Sequence, residues 1–333
     1  MPHFPPRLAF DLAPAGETAG LLRDEYVLAL FDFDSGMAPD ETDPRRLRVP
    51  LRQLGAPKME VWRSTAPVRR GRDDGVAWSA DGTFAFGAIQ IDEGTESIDA
   101  ATAQAYARLT RFLARSGYPH LLRIWNYLDA IVDGVGDEER YRRFCVGRVR
   151  GMGELDTSHL PAATAIGRRD GVRRLQVYWL AARMPGTPLE NPRQVSAYRY
   201  PSQYGAQPPS FARAMLPPES AALPLMVSGT AAIVGHASRH RDSTLAQLDE
   251  IFANFESLFA SARARDAGWP DAFGHRDLLK VYVRNREDAD QVAQRLGERL
   301  PQVPCVLLHG EVCRPELRVE IEGMFGSDRT GGN

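Results

Sequence analysis

The chain has 333 residues, 43% of them hydrophobic, which is enough to bury a sizeable core in two or more compact units. Its formal net charge of −2 leaves no basic excess to neutralise phosphates, so neither nucleic acid nor an anionic membrane is an expected partner. Three cysteines without clustered spacing argue against a disulfide framework and a zinc site. We found no apolar run of transmembrane length and no signal segment in the first ten residues, and we therefore expect a cytoplasmic protein.

The first half of the chain is predicted to begin with strands and to continue as an α/β unit. Pro, Gly and Asp turns separate four opening strands: Tyr26–Phe33, Leu47–Leu54, Met59–Arg63 and Thr83–Ile91. An amphipathic helix is predicted over Ser97–Ser116, with Gly117 placed to end it. The elements that follow are a strand at His120–Ala130, a short helix at Asp137–Val149, and strands at Ala162–Gly167 and Leu175–Ala182.

The same order of elements recurs in the second half. A second long amphipathic helix is predicted over Ser243–Ala264, and DLLKVYVRNRED from Asp277 matches the pattern of HLLRIWNYLDAI from His120. Val292, Leu296 and Leu300 mark another helix, after which PCVLLHGE and ELRVEIEG parallel PAATAIGR and RRLQVYWL. The recurrence favours duplicated α/β modules, against a coincidental similarity of pattern. In this alignment Tyr178 and Trp179 correspond to Glu320 and Ile321.

An irregular segment, Met184–Pro218, separates the two copies. It is dense in aromatic and apolar residues, unlike a disordered linker, so we interpret it as an ordered loop that covers a site. Tyr198, Tyr204 and Arg213 within it, with Arg148 before it, offer hydroxyls and guanidinium groups that can hold carboxylates. The alternative for each of them is a surface residue that only packs or contacts water.

The C-terminal segment holds two further candidates. In ELRVEIEG the apolar residues alternate with charges, as in a half-buried strand, and Cys313 precedes Glu320 by seven residues. Glu320 would act as a general acid if a closed pocket raised its pKa; otherwise it is a solvated carboxylate. Cys313 alone would be an ordinary buried residue.

A strand at LMVSGTAAIVG is interrupted at Ser228, Gly229 and Thr230, where either a bend or a bulge with close approach to a ligand is expected. His236 and His240 lie four residues apart but lack acidic or thiol partners, so no metal site is predicted. The chain also lacks GxGxxG after a strand, a P-loop, HExxH and GxSxG.

Several of these segments together resemble the chorismatase family. The likeness spans nearly the full length and rests on RYRRFCVGR, AYRYPSQYG, PSFARA, SGTAAIVGH and HGEVCRPELRVEIEG. It is greatest to the bifunctional Xanthomonas subtype, which makes 3- and 4-hydroxybenzoate for xanthomonadin pigment and coenzyme Q biosynthesis. One departure is Ala206-Gln207, where relatives have a Pro-Arg pair after YG.

The resemblance implies an α/β (α+β) fold of duplicated RidA/YjgF-like modules, with mixed sheets and helices in a pseudo-trimeric arrangement. Residues 1–190 would form the first module, 191–220 an active-site loop and 221–333 the module that carries the catalytic acid. The chain would be a monomer that needs no metal, nucleotide or flavin.

The resemblance also assigns roles. Glu320 would be the catalytic acid and Cys313 the residue that selects the product subtype, while Gly229 matches a small residue that also separates subtypes. Arg148, Tyr198, Tyr204, Arg213 and Thr230 would complete the binding site for chorismate. Glu320 would protonate the enolpyruvyl methylene so that pyruvate leaves.

Three alternatives stay open at this stage: hydrolysis of chorismate to a dihydroxycyclohexadiene carboxylate, a RidA-like imine deaminase, and a noncatalytic protein that binds small acids. The deaminase would require an arginine on the strand PCVLL, which has none. The small-acid binder would need the arginines but not a buried Glu320.

Overall fold

The computed structural model describes residues 7–33, 42–94, 96–153 and 156–328. The strands are β1 (Leu8–Pro14), β2 (Val27–Phe33), β3 (Arg46–Val49), β4 (Lys58–Ser64), β5 (Arg69–Asp73), β6 (Val76–Ala80), β7 (Phe84–Asp92), β8 (His120–Asp129), β9 (Ala162–Arg168), β10 (Arg174–Ala182), β11 (Thr187–Leu189), β12 (Ala214–Leu216), β13 (Leu225–Ala231), β14 (Ile233–Val234), β15 (Ala237–Ser238), β16 (Leu278–Val283), β17 (Cys305–His309) and β18 (Val319–Phe325). The helices are α1 (Thr18–Leu21), α2 (Ile98–Ser116), α3 (Arg140–Met152), α4 (Thr244–Arg265) and α5 (Ala289–Arg299).

Two six-stranded sheets share one topology, β5-β6-β7-β10-β8-β9 and β11-β12-β13-β18-β16-β17. In each, the last two strands are parallel and the central pairs antiparallel, so the sheets are mixed. The repeated order predicted from the sequence is therefore present in the fold, and the expected α+β class is confirmed. Two smaller sheets are also described: the two-stranded β14-β15 and the four-stranded β1-β4-β2-β3, which likewise ends in a parallel pair. The four-stranded sheet repeats the central arrangement without the long helices, so three related sheets come from one chain.

Strand register supports the alignment of the two copies. Tyr178 on β10 pairs with Trp125 on β8, and Glu320 on β18 pairs with Tyr282 on β16. Trp125 and Tyr282 are themselves matched in the sequence alignment. The same position of the repeat thus holds an aromatic ring in the first copy and a carboxylate in the second.

The inner faces of all three sheets meet in a single hydrophobic core, which includes Phe31, Phe86, Tyr178, Met226 and Tyr282. Helices α2 and α3 cover the outer face of the first six-stranded sheet, and α4 and α5 cover that of the second. β18 is consequently buried along its whole length. Its charged side faces the interior of the molecule rather than water.

Helix α3 lies close against α2 because Gly147 and Gly151 present no side chain to it. A Cβ at either position would collide with the α2 backbone at Asp99 or Ala103. This close packing determines which face of α3 is turned away from α2.

The observed elements differ from the predicted ones in two ways: a proline ends one strand early, and several short strands were not predicted. β3 ends at Val49 because Pro50 has no N–H for the ladder, whereas the predicted strand continued to Leu54. β1, the β5–β6 hairpin and the three-residue strands β11 and β12 were not predicted. The structure describes the whole segment between the copies, and β11 and β12 join it to the second six-stranded sheet. None of the helices that the structure describes has the length and hydropathy required to cross a bilayer.

Candidate active site

A cavity lies between the two modules that contain the six-stranded sheets. Its volume of about 430 Å³ is within the range typical of small-molecule sites. Its walls come from α3 and β9 of the first module, from β13 and β18 of the second, and from the loop before β18. The segment around residues 200–213 covers it. Six of the predicted residues line this cavity: Arg148, Tyr204, Arg213, Gly229, Cys313 and Glu320.

Glu320 lies on the floor of the cavity with only 5% of its surface exposed. Its carboxyl group packs over Gly229 of β13, where any side chain would collide with Glu320 Oε1. The register between β13 and β18 shifts between Val227 and Thr230, so Gly229 belongs to an irregular stretch of strand. The interruption predicted at this position is therefore a bulge against which the carboxyl group rests.

Burial raises the pKa of Glu320 to about 8, and the neighbouring Glu322 carboxylate adds to the shift. Arg123, Arg213 and Arg284 act in the opposite direction but do not cancel it. A carboxyl group with this pKa holds a proton near neutrality and can give it to a substrate. The structure thus buries Glu320 at the cavity, which is the environment in which a glutamate can act as a general acid.

The raised pKa has a consequence for stability. In the folded protein Glu320 keeps its proton up to about pH 8, whereas the unfolded chain releases it near its ordinary value of 4.5. Its contribution to the free energy of unfolding is thus fully present below pH 4.5 and is lost progressively as pH rises towards 8. Glutamine cannot ionise, so we expect the melting temperature of Glu320→Gln, relative to wild type, to increase between pH 5 and pH 8. Calorimetry at several pH values measures this difference, and parallel curves would contradict the assignment.

Cys313 borders the same cavity, on the loop that leads into β18. Burial, and next the charge of Glu320, raises the pKa of its thiol to about 12, so the group is a neutral thiol at physiological pH. It packs against Val312 and Leu317 on one side and reaches the core of the first module on the other. Cys313 and Glu320 therefore share one site, in which the cysteine acts as an uncharged wall.

The two predicted arginines are buried with unused donors. Arg148 is 4% exposed and its guanidinium lies 5.3 Å from the ring centroid of Tyr106. Its Nε and Nη2 atoms have no hydrogen-bond partner among the described residues. Arg213 donates from Nη2 to Val195 O (2.8 Å) and to the Tyr200 hydroxyl (2.7 Å), which leaves its Nε without a partner in the described ranges. Buried donors of this kind favour an anionic ligand.

Tyr204 is held at the mouth of the cavity by the second module. Its hydroxyl lies 3.1 Å from His236 Nδ1, and Arg314 stacks over its ring at 4.0 Å. Arg314 also donates to His236 O at 2.9 Å. On the opposite side, Arg142 of α3 donates to Gln203 O at 3.1 Å. The covering loop is thus attached to both modules.

Tyr198 and Thr230 do not line the cavity. Thr230 follows Gly229 on the strand, so its side chain points to the other face, and its hydroxyl donates to Ser228 O at 2.9 Å. Tyr198 lies in a one-turn helix, Ala197–Arg199, where its ring contacts the Arg199 guanidinium. His240 pairs with Glu250 while His236 contacts Tyr204, so the two histidines take different partners.

Several wall residues were missed by sequence reasoning. Tyr141 and Cys145 precede Arg148 by seven and three positions on α3, a spacing that places all three on one helix face. That periodicity was visible in RYRRFCVGR. Thr164 on β9 and Arg314 carried no such signal, because only the packing of the two modules brings them to the cavity.

Comparisons of sequence and structure show which known proteins this chain is similar to. Residues 60–181 match the family model described as "Chorismatase FkbO/Hyg5-like, N-terminal". A chorismatase of Streptomyces hygroscopicus is 38% identical over 277 residues, which cover 80% of this chain and 78% of the relative. A 3-hydroxybenzoate synthase of the same organism is 36% identical over 279 residues, 80% of this chain and 81% of the relative. The crystal structure of a chorismatase at 1.08 Å resolution superposes with a TM-score of 0.85 at 33% identity, covering 97% of this chain and 99% of that one.

Proposed function

Because the chain belongs to the chorismatase family, we propose that it releases pyruvate from chorismate and forms 3- and 4-hydroxybenzoate. Support for the first product comes from the similarity to a protein named 3-hydroxybenzoate synthase. The second product, and a role in xanthomonadin and coenzyme Q biosynthesis, follow from the likeness to the bifunctional subtype. The cavity is formed within one chain, which supports action as a monomer.

The observation that carries the proposal is a buried Glu320, whose pKa burial raises to about 8, in the same cavity as Arg148 and Arg213, which have donors without partners among the described residues. Chorismate has two carboxylates and an enol ether. Arg148 and Arg213 are suited to bind the carboxylates, since guanidinium groups bind such groups with strong, directional hydrogen bonds. The enolpyruvyl group then lies within the same enclosed space as Glu320.

The reaction begins when Glu320 gives its proton to the terminal methylene carbon of the enol ether. The positive charge that develops on the ether carbon activates the bond to the ring. If the neighbouring ring hydroxyl displaces the leaving group, pyruvate departs and the hydroxyl oxygen bridges two ring carbons. One of its two C–O bonds then breaks, the carbon that keeps the oxygen loses its proton, and the ring becomes aromatic without consuming water. If water enters instead, hydrolysis consumes one water molecule and leaves the dihydroxycyclohexadiene carboxylate. Glu320 regains its proton from the ring or the attacking water.

Incubation of the purified protein with chorismate, with an enzymatic assay for pyruvate and chromatography of the ring product, tests the proposal. We expect stoichiometric pyruvate together with 3- and 4-hydroxybenzoate. A dihydroxycyclohexadiene product would indicate hydrolysis instead. Absence of pyruvate would contradict chorismatase activity.

Cys313→Ala is expected to shift the products towards the dihydrodiol. The neutral thiol fills space beside Glu320, and alanine would leave room for water near the activated ether. The measurement is the product ratio by chromatography. Cys305→Ala, at a half-buried position in β17 outside the cavity, is the matched control. An unchanged ratio in Cys313→Ala would remove the role proposed for this cysteine.

A further inference from the structure

A second carboxylate lies directly behind the acid. Glu322 is two residues beyond Glu320 on the same side of β18 and is 1% exposed. It accepts hydrogen bonds from Trp125 Nε1 (2.7 Å) and the Tyr282 hydroxyl (2.9 Å), and it pairs with Lys280 at 3.0 Å. It also contacts Arg123. Burial opposes its ionisation, but Lys280 and Arg123 outweigh that effect and hold the pKa of Glu322 below its usual value. Glu322 is therefore a fixed anion.

Thr164 connects this anion to the strand beneath Glu320. Its hydroxyl donates to Glu322 Oε2 and accepts hydrogen bonds from the backbone N–H of Gly229 at 3.0 Å and from Arg123 Nη2 at 2.6 Å. A threonine hydroxyl has one proton and two lone pairs, so every hydrogen-bonding position is occupied. The hydrogen bonds therefore fix the orientation of the Thr164 hydroxyl.

The bulge that supports Glu320 is held from the first module at two adjacent residues. Besides the bond from Gly229 to Thr164, Ser228 Oγ donates to Ala212 O at 2.6 Å and accepts from the backbone N–H of Ala163 at 2.9 Å. The place where the Glu320 carboxyl group rests is thus set by β9. Loss of the Thr164 hydroxyl would release the Gly229 side of that support.

We propose that Glu322 and Thr164 are positioning residues for Glu320, Glu322 by placing a fixed negative charge behind the acid and Thr164 by fixing the bulge on which its carboxyl group rests. This inference depends on the proposed function, in which Glu320 is the proton donor. Neither residue touches the reacting atoms in this scheme. Each acts through Glu320.

The charge effect has a definite sign. The charged and titratable groups with the largest effects on Glu320, or on which it acts, are Arg123 from β8, Arg213 from the covering loop, Arg284 after β16, Tyr141 from α3, and Cys313 and Glu322 from its own side. Arg148, Arg314, Glu139 and Glu316 line the same cavity. Tyr141 and Cys313 are neutral at pH 7, because burial raises the pKa of both. The charge of Glu322 raises the pKa of Glu320, whereas the three arginines, of which Arg284 also pairs with Glu311, lower it. Removing the charge of Glu322 lowers the pKa of Glu320.

The first test uses Glu322→Gln and follows the protonated carboxyl band of Glu320 by infrared spectroscopy as pH rises, with Glu320→Gln identifying the band. We expect the band to disappear about one pH unit lower than in wild type, and the alkaline limb of pyruvate release to move by the same amount. A band and a pH profile that both coincide with wild type would overturn the role of Glu322. Because the band needs no turnover, it tests this inference even if chorismate proves not to be the substrate.

The second test compares Thr164→Val, which removes the hydroxyl, with Thr164→Ser, which keeps it. We expect kcat for pyruvate release to fall about 10- to 100-fold in the valine variant, with KM nearly unchanged, and serine to restore most of the rate. Thr110→Val, on the exposed side of α2, is the control and should behave as wild type. Wild-type kcat in a folded Thr164→Val would overturn the role of Thr164. If one of Glu322→Gln and Thr164→Val does not fold, the other variant still tests its own half of the proposal. A reduced kcat in Thr164→Ser, which keeps the hydroxyl, would count against the role of Thr164.

Discussion

Replacing Glu320 by glutamine is expected to lower kcat for pyruvate release by about 100- to 10,000-fold, the usual contribution of a general acid. Glutamine has nearly the same shape and can occupy the space over Gly229, but it has no proton to transfer. The variant should fold, since it removes a buried ionisable group and leaves the packing unchanged. Pyruvate assays at saturating chorismate, with circular dichroism as the folding check, measure the effect.

Glu256→Gln, at an exposed position on α4, provides the matched control and should retain wild-type turnover. The wild-type rate should also fall as pH rises through about 8, where Glu320 loses its proton. Unchanged turnover in Glu320→Gln would refute the assignment of the acid and, with it, the mechanism proposed for the chain.

Arg148→Met should have the next largest effect. Two donors of its buried guanidinium are unused among the described residues, and hydrogen bonds to charged groups contribute about 1.5–3 kcal/mol. We therefore expect kcat/KM for chorismate to fall roughly 10- to 100-fold, with KM increased. Arg148→Lys keeps the charge without the planar fork and should recover only part of the loss.

The control for Arg148 is Arg150→Met on the same helix, whose side chain is exposed and pairs with Asp99. Calorimetric binding of the product 3-hydroxybenzoate, measured beside kinetics, separates binding from chemistry. Equal affinity and equal kcat/KM in Arg148→Met and wild type would show that this arginine binds no substrate carboxylate. Arg213 is a less clean test, because it also donates to Val195 and Tyr200 and so helps to fix the covering loop.

The repeated sheets differ at the strand that carries the candidate acid. β18 in the second copy has a carboxyl group at a position where β10, its counterpart in the first copy, has an aromatic ring. At the position where β18 has Glu320, β10 has Tyr178, whose ring stacks on Trp125 at 4.7 Å in the shared core. The first copy fills the equivalent space with aromatic rings. The second leaves a carboxyl group beside a cavity that the first module completes.

Local pattern was sufficient for the long helices, for most of the long strands and for the repeat, but not for β1, the β5–β6 hairpin or the three-residue strands. The period of apolar residues determined α2 and α4, Gly117 ended α2 in a left-handed conformation at φ 80°, and the alternation in ELRVEIEG identified a strand. These features depend on neighbours in the chain, which a sequence displays directly. The segments that resemble chorismatases also singled out Glu320 and Cys313 before any contact was known.

Only the tertiary structure decided what those residues experience. A period of two cannot distinguish a charged face exposed to water from one buried between sheets, and the pKa of Glu320 depends on that difference. Thr230 is predicted to lie beside Gly229 in the site, yet the structure turns its side chain away and its hydroxyl donates to Ser228 O. Thr164, 65 residues before Gly229 in the chain, reaches the site instead. The burial of Glu320, the charges around it and the walls of the cavity all depend on groups from distant parts of the chain. Only the packing of the modules brings these groups together.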